Sequence, residues 1–266
     1  QWLHNTNRPR PDKDSYEKTL EGIERIRARL GPDRVSALMT TTKESLPHVK
    51  DIIDEYVQLG FDGVFLRPLS PYGFAMKTQW YQAYDVSDWL DFYFRGLDYI
   101  IELNKNGHEF TEYYAAIILN KMFSATGTGY VDLQSPAGIG IAGIVFNYDG
   151  YVYASDESRM LAEMGDTKFR LGKLGRDSYE AIMTSDALLD TLECTMTECM
   201  PSCSDCGFQP FCGSDPLYHY ATQKDPVGHK ALSGFCKKNM AIFRRLITLM
   251  EDDPAARSVL LSWARP

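Results

Sequence analysis

The hydrophobic pattern of the first half of the chain alternates between helical and extended spacing. Apolar residues recur every three or four positions over residues 16–30 and again over residues 45–59, which predicts two amphipathic helices. Runs rich in β-branched and apolar residues at 34–42 and 62–69 predict two buried strands. Helix, strand, helix and strand at this spacing indicate βαβ units and a parallel sheet, so we expect an α/β fold.

The second half of the chain has a different character. Residues 87–104 and 110–123 predict two more helices, and we assign the aromatic run around Trp89 and Tyr93 to the core rather than to a ligand site. Residues 138–154 then predict a hairpin that turns at Asp149-Gly150. A closing helix is predicted over 237–251. We place a domain boundary at about residue 126.

The composition excludes some classes of partner. The 266 residues are 44% hydrophobic and 24% charged, which is typical of a globular protein with a real core. The net charge of −8 argues against general binding to nucleic acid or to an anionic membrane. The apolar stretches are too short for a membrane span and no export leader opens the sequence, so we expect a cytoplasmic protein. Because the first residue is Gln1, we also expect this chain to be part of a longer one.

The cysteines are concentrated near the carboxy-terminal end. All six fall between Cys194 and Cys236, and a secreted disulfide scaffold would normally spread them along a short chain. Clustering therefore favours a metal over disulfides. The two-residue gap between Cys203 and Cys206 lets two sulfurs face one metal, and Cys212 with Cys236 completes four ligands. Four thiolates suit either a structural zinc ion or a cubane iron–sulfur cluster.

These residues resemble a known family. The spacing Cys203-x2-Cys206-x5-Cys212 followed by Cys236 resembles the second auxiliary-cluster motif of SPASM domains, which are iron–sulfur modules of radical S-adenosylmethionine (SAM) peptide-modifying enzymes. Residues 147–153 resemble the hairpin that opens such domains. Residues 67–75, 155–159 and 206–213 are most similar to the maturases of His-Xaa-Ser peptide systems.

The resemblance implies a fold. Residues 1–126 would be the later strands and helices of a radical SAM (β/α) partial barrel, with residues 4–9 following its fourth strand. Residues 127–266 would be a small α+β, cysteine-rich SPASM-like domain. In that family Cys203, Cys206, Cys212 and Cys236 correspond to the ligands of an auxiliary [4Fe–4S] cluster. A structural zinc ion is the alternative.

The departures from the family pattern are informative. A full SPASM domain holds two clusters, but no cysteine occurs at the positions for the first, which lie near Gly140, at Ala154-Ser155 and at Pro216, so we expect one cluster. Cys194 and Cys199 fit neither set. The run Cys199-x3-Cys203-x2-Cys206 matches the catalytic three-cysteine signature of radical SAM enzymes. Too little chain follows it to build a barrel, so we treat the match as coincidence.

The resemblance also implies an activity for the full-length protein. Such enzymes cleave SAM reductively to a 5′-deoxyadenosyl radical, which abstracts hydrogen from a residue of a ribosomally made peptide. The full-length enzyme would carry a second, catalytic [4Fe–4S] cluster upstream, so this chain alone should be inactive. Its expected partners are the peptide, an electron donor and a partner maturase or peptide-recognition protein.

Three further residues are candidates for cofactor binding. Arg8 and Arg67 lie where strands of the barrel should end, and a guanidinium can hold the SAM carboxylate or an acidic peptide group. A surface ion pair is the structural alternative for each. Tyr72 lies in a Pro-Tyr-Gly loop at the exit of a strand and is a candidate for lining the site.

Two functional hypotheses follow from this sequence. In the first, the chain is the carboxy-terminal portion of a radical SAM peptide maturase. In the second, it is a non-catalytic peptide-binding module that a zinc ion or a cluster stabilises. A disulfide-bonded extracellular protein is a third reading, which would require export.

Overall fold

The computed structural model describes residues 1–124 and 128–264, without the side chain of Phe74. Regular structure occupies most of this length. The helices are α1 (Trp2–Asn7), α2 (Ser15–Leu30), α3 (Val49–Gln58), α4 (Phe74–Lys77), α5 (Val86–Lys105), α6 (Tyr113–Phe123), α7 (Asp156–Glu163), α8 (Tyr179–Met183), α9 (Asp186–Glu193), α10 (Pro216–Gln223), α11 (Gly234–Asp252) and α12 (Pro254–Trp263). The strands are β1 (Ala37–Thr40), β2 (Gly63–Arg67), β3 (Thr111–Glu112), β4 (Val145–Phe146), β5 (Tyr151–Tyr153) and β6 (Arg170–Lys173).

The chain forms two compact units, and each unit is made of several separate segments of the sequence. The first unit contains residues 1–69, 83–116 and 249–263, and the second contains the described residues of 70–82, 117–248 and 264. The predicted domains 1–126 and 127–266 divide the chain at a point that lies outside the described residues. That boundary stays a prediction.

The first unit is the α/β part that the alternating pattern predicts. Its sheet has the order β1-β2-β3 with both pairs parallel, and Ala37 lies opposite Val64 in the register. Helix α5 crosses β2 at Gly96, where an added Cβ would lie 2.8 Å from Leu66 Cδ1 and 2.8 Å from Val49 Cγ2. The absence of a side chain at residue 96 therefore lets the helix pack closely against the sheet and α3.

Several predicted elements differ from the observed ones in their length. The second predicted helix is a 3-10 segment, Lys43–His48, before α3 begins at Val49. Pro47 explains the difference, because its ring removes an amide donor from the helical ladder. The predicted helix 110–123 begins only at Tyr113, since Thr111–Glu112 pair with β2 as a short third strand. The aromatic run is core as predicted: Trp89, Phe92 and Tyr93 are all buried.

β1 is the edge of the sheet and is buried on one side only. Ala37 and Met39 face the core, whereas Leu38 is 57% exposed. The sequence predicted a buried strand, and the alternation shows that one face of β1 is uncovered in the described part of the chain. Among the helices that the structure describes, none is long and apolar enough to cross a membrane.

The second unit is built on an antiparallel sheet and an apolar cluster. β4 and β5 form the predicted hairpin, in which the Gly150 amide donates to the Asn147 carbonyl at 2.9 Å. β6 pairs with β5 on its other side and was not predicted. Val152, Leu161 and Leu188 belong to the apolar cluster that lies under this sheet. The cysteine loop and helices α10 and α11 complete the unit.

Candidate metal centre

The cysteine loop, residues 194–215, connects α9 to α10 as a series of tight turns. The Cys203 amide donates to the Met200 carbonyl at 3.1 Å, and the Cys206 amide donates to the Cys203 carbonyl at 3.0 Å. The Cys212 amide then donates to the Phe208 carbonyl at 3.0 Å. Turns of this kind reverse the chain every few residues, so cysteines spaced along the loop can face one centre.

Four of the six thiols lie close enough together to shift each other's acidity. Burial raises the pKa of Cys203, Cys212 and Cys236, and the charge of neighbouring thiolates raises it further. Cys206 acts on the pKa of all three of these thiols. Cys212 acts on Cys203 and Cys236, and Cys203 acts on Cys236. Every pair among the four predicted ligands is therefore in electrostatic contact, although Cys236 is on α11 and the other three are on the cysteine loop.

The remaining two cysteines differ from these four. Cys194 is half-buried at the carboxy-terminal end of α9, and Cys199 is exposed to solvent. The thiol–thiol interactions described above include neither residue. All six cysteines are free thiols in the structure.

Two donors lie beside the cysteines. Asn239 on α11 donates its side-chain amide to Cys212 Sγ at 3.7 Å, which favours the thiolate form of that cysteine. Lys230 is only 8% exposed, and burial lowers its pKa. The charges of Cys203, Cys236 and Cys212 act in the opposite direction and raise the pKa of Lys230. A buried ammonium next to several thiols is a charge that stabilises thiolates.

A buried hydrogen-bonded chain positions the fourth cysteine. The Cys236 amide donates to Ser233 Oγ at 3.2 Å, and His219 Nε2 lies 2.8 Å from the same oxygen. His219 is 1% exposed, and burial lowers its pKa to about 4. The imidazole is therefore neutral at neutral pH, and it contacts the serine that accepts the hydrogen bond of the Cys236 amide.

The thiols are neighbours rather than preformed ligands. In the described chain, no three or more His, Cys, Asp or Glu side chains are arranged to hold a metal ion. Thiols with raised pKa values are protonated at neutral pH, whereas metals bind thiolates, so binding a metal must release protons and draw the sulfurs together. In number, donor type and neighbourhood the four cysteines fit a [4Fe–4S] cluster or a zinc ion. The choice between the two remains a prediction.

The positions expected for a first auxiliary cluster are packed with apolar groups. The Gly140 amide donates to the Ala154 carbonyl at 2.8 Å, and a Cβ at residue 140 would lie 2.6 Å from Leu188 Cδ1. Ala154 is 3% exposed, and Pro216 is buried beside Leu217 of the same apolar cluster. These described residues carry no thiol, and the number of clusters stays a prediction.

The other predicted site residues are divided between the two compact units. Arg8 is exposed at the end of α1, and its charge lowers the pKa of His4, although burial is the larger cause. Arg67 ends β2, where its carbonyl accepts a hydrogen bond from the Thr41 amide at 2.8 Å. Tyr72 belongs to the second unit and is buried in its apolar cluster. Their assignment to a cofactor stays a prediction.

Several residues of the centre were not predicted from the sequence. Lys230, Ser233 and Asn239 approach the cysteines from the segment around the start of α11, and no spacing rule marks them. A partial signal existed for Ser233, because it lies three residues before Cys236 and accepts the hydrogen bond of its amide. Such short-range serine contacts are typical of helix starts.

The fold is similar to solved structures of anSMEcpe. The chain aligns with hexahistidine-tagged anSMEcpe with bound AdoMet over 93% of its own length, at a TM-score of 0.67 and 17% identity. Native anSMEcpe with bound AdoMet and Kp18Cys peptide aligns equally well, at a TM-score of 0.67 and 15% identity. In both comparisons the chain spans 62% of the length of the anSMEcpe chain. A scan against protein-family models and a search of the curated proteins find no match.

This similarity establishes the fold class. The chain has the α/β fold that the sequence predicted, similar to that of anSMEcpe, and the match covers 93% of its length.

Proposed function

We propose that this chain is the carboxy-terminal portion of a radical SAM peptide maturase, and that its cysteine loop holds one auxiliary [4Fe–4S] cluster. One observation carries the proposal: in a fold similar to anSMEcpe, the four cysteines with auxiliary-cluster spacing are all in electrostatic contact with one another. A cluster of this type, when bound, supplies one-electron transfer at a potential that the surrounding protein sets.

The protein's own contribution to this centre is to hold and tune the ligands. Cys203, Cys206 and Cys212 come from the loop and Cys236 from α11, so the centre fastens the loop to that helix. Asn239 donates a hydrogen bond to one of the sulfurs, and Lys230 adds a buried positive charge. Both effects favour a more reduced centre, because they stabilise negative charge on the sulfurs.

The first compact unit would supply part of the barrel. β1 is an edge strand, with no further strand beside it in the described residues, and Leu38 on its surface is 57% exposed. Parallel sheets are normally covered on both faces, so the exposed face of β1 is unusual for an α/β sheet. This supports a role as the later part of a larger barrel, in which Arg8 and Arg67 would hold the SAM carboxylate or an acidic peptide group.

The proposed substrate is a ribosomally made peptide, and the proposed partners are an electron donor and a peptide-delivering protein. Two of the similar structures are of anSMEcpe with a bound peptide, which supports the substrate class. The assignment to His-Xaa-Ser peptide systems rests on the sequence resemblance of residues 67–75, 155–159 and 206–213.

A zinc-stabilised, non-catalytic peptide-binding module is the second candidate. The donor set favours it as much as it favours a cluster, because four thiolates are also a common structural zinc site. In that case the metal would still connect the loop to α11, but the centre would not transfer electrons.

Cleavage of SAM tests the proposal. The protein with its natural upstream sequence, incubated anaerobically with SAM and dithionite, is expected to release 5′-deoxyadenosine, and the 266-residue chain is expected to release none. A matched variant, Cys206→Ala in the longer protein, should still cleave SAM but fail to modify a peptide. Absence of 5′-deoxyadenosine from the longer protein, with its iron content intact, would contradict the enzymatic assignment.

A further inference from the structure

A short segment outside the cysteine loop is hydrogen-bonded to the first part of that loop. We call this segment, residues 131–137, the anchoring segment. The Thr197 amide donates to Ser135 Oγ at 2.9 Å, and the Ala137 amide donates to Thr195 Oγ1 at 3.0 Å. Thr195 and Thr197 are both buried, so water does not compete for these hydrogen bonds. The anchoring segment is therefore joined to the loop near the place where the loop begins.

The last part of the loop packs backbone against backbone on the same anchoring segment. A Cβ at Gly213 would lie 2.5 Å from the Asp132 carbonyl oxygen and 2.5 Å from the Gln134 amide nitrogen. Backbone atoms cannot move aside as the end of a flexible side chain can, so a residue with a side chain would strain this approach. Because Gly213 directly follows Cys212, the approach places a predicted metal ligand against the anchoring segment.

Lys121 on α6 connects the anchoring segment to the end of the loop. Its ammonium group donates to the Leu133 carbonyl in the anchoring segment and, at 3.0 Å, to the Cys212 carbonyl in the loop. Leu133 is fully buried and Lys121 is half-buried, so these contacts are largely shielded from water. An ammonium group has three N–H donors, and hydrogen bonds from a charged donor are stronger than those between neutral groups. One side chain therefore binds a carbonyl on each of the two segments.

The contacts at the two ends of the loop are made by protein atoms alone. Three of the four predicted ligands, Cys203, Cys206 and Cys212, lie on this loop, and Cys236 joins them from α11. In small zinc-dependent domains the metal itself supplies the free energy of folding. Here the protein holds the backbone of the loop, so a metal has only to draw together thiols that are already neighbours. Ligands that are held in place by a second layer of contacts bind metal more tightly.

We propose that Lys121 is a positioning residue for the metal centre. By joining the Cys212 end of the loop to the anchoring segment, it keeps the loop folded before a metal binds. This inference deepens the proposed function and rests on one part of it, namely that the four cysteines bind a metal. It applies equally to an iron–sulfur cluster and to a zinc ion.

Hydrogen exchange of the metal-free chain tests this role first. Iron and zinc are removed with a chelator under anaerobic conditions, and exchange is followed by mass spectrometry of peptic fragments. The wild type is expected to protect the hydrogen-bonded amides of residues 203–212. Lys121→Met should speed their exchange by about tenfold or more, because a charged hydrogen bond is lost, and should leave residues 151–173 of the sheet unchanged. Lys121→Arg can donate to both carbonyls and should restore most of the protection.

Retention of the metal tests the same role in the loaded chain. The chain is reconstituted with iron and sulfide, and the visible absorption is followed after an iron chelator is added. Lys121→Met should lose iron about tenfold faster or more. Lys77→Met removes an exposed lysine of the same unit and should match the wild type. Val152→Ala truncates a buried residue of the sheet, so it measures what lower stability alone does to iron retention.

Three results would overturn this role. A metal-free wild-type loop that exchanges as fast as an unfolded chain would show that protein contacts do not hold it. Unchanged exchange and unchanged iron loss in Lys121→Met would remove Lys121 from the centre. Iron loss that matches Val152→Ala at an equal thermal midpoint would make Lys121 a general contributor to stability.

The proposed function fails by different results. A chain that binds zinc contradicts the redox role, and the same chelator assay on the zinc-loaded chain then tests Lys121. Cleavage of SAM by the longer protein is measured separately, so the enzymatic assignment does not depend on the outcome for Lys121.

Discussion

Glu112 is a fully buried carboxyl group in the first unit, and its titration should control the stability of that unit. Burial raises its pKa from an ordinary value of 4.5 to about 7. Hydrogen bonds from the Tyr93 hydroxyl at 2.5 Å and from the Ala115 amide at 2.7 Å oppose this shift, because they favour the carboxylate. The Leu66 amide donates to the second oxygen at 3.2 Å. Desolvation is the larger effect.

The sign and size of the effect follow from proton linkage. The folded state binds the proton of Glu112 more tightly than the unfolded state does. The contribution of Glu112 to the free energy of unfolding is therefore complete below pH 4.5 and is lost as the pH rises through 7. Between pH 5 and pH 8 the free energy of unfolding should fall by about 2.5 kcal/mol from this group alone.

Urea unfolding followed by tryptophan fluorescence measures this loss, since the buried Trp89 ring stacks on Tyr93 at 4.9 Å between ring centroids. Glu112→Gln should remove about 2.5 kcal/mol from the decrease in the free energy of unfolding between pH 5 and pH 8. Glu109→Gln changes an exposed acid nearby and should leave the pH dependence as it is. Tyr93→Phe removes a donor to the carboxylate, so the loss should move to higher pH. An unchanged slope in Glu112→Gln would refute the reasoning.

Three further predictions concern the second unit. Burial lowers the pKa of His219, so its contribution to the free energy of unfolding is present above pH 6.5 and is lost as the pH falls towards 4. Urea unfolding should show that this free energy falls by about 2 kcal/mol between pH 7 and pH 5, and His219→Gln should remove the decrease. Gly213→Ala should destabilise the unit by about 1–3 kcal/mol in thermal unfolding, because its Cβ would meet backbone atoms at 2.5 Å, whereas Gly207→Ala, which meets nothing within 4 Å, should be close to neutral. Lys230→Met removes a positive charge beside the thiols, so redox titration of the loaded centre should give a more negative potential; an unchanged potential would exclude Lys230 as a tuning charge.

The elements of the first unit were predictable because their periodicity is local. Helices α3 and α5 bury apolar stripes that can be read within each segment, and β2 is a continuous apolar run. Helix α2 forms where its apolar spacing predicts, although Ile26 and Leu30 of that stripe are exposed. β3 could not be predicted, since two residues carry no period and pair with β2 only in the folded chain. Helix α12 was missed although Asp253-Pro254 is a cap followed by a proline at the first helical position, a signal for a helix start.

Only the cysteines of the candidate site could be predicted from the sequence. Cysteine spacing predicts four ligands, and the turns that bring Cys203, Cys206 and Cys212 together lie within one short segment. Cys236 joins them from α11. Lys230 and Asn239 act on these cysteines through tertiary packing. Contacts of that kind leave no periodic pattern in a single sequence.

The content of the cysteine centre tests the central claim most directly. The chain is produced anaerobically with iron and sulfide, and iron, acid-labile sulfide and zinc per chain are measured with the visible and Mössbauer spectra. We expect about four irons and four sulfides per chain, lost in Cys206→Ala and retained in Cys199→Ala. A colourless chain with about one zinc ion would contradict the redox role, and about eight irons would contradict the single cluster.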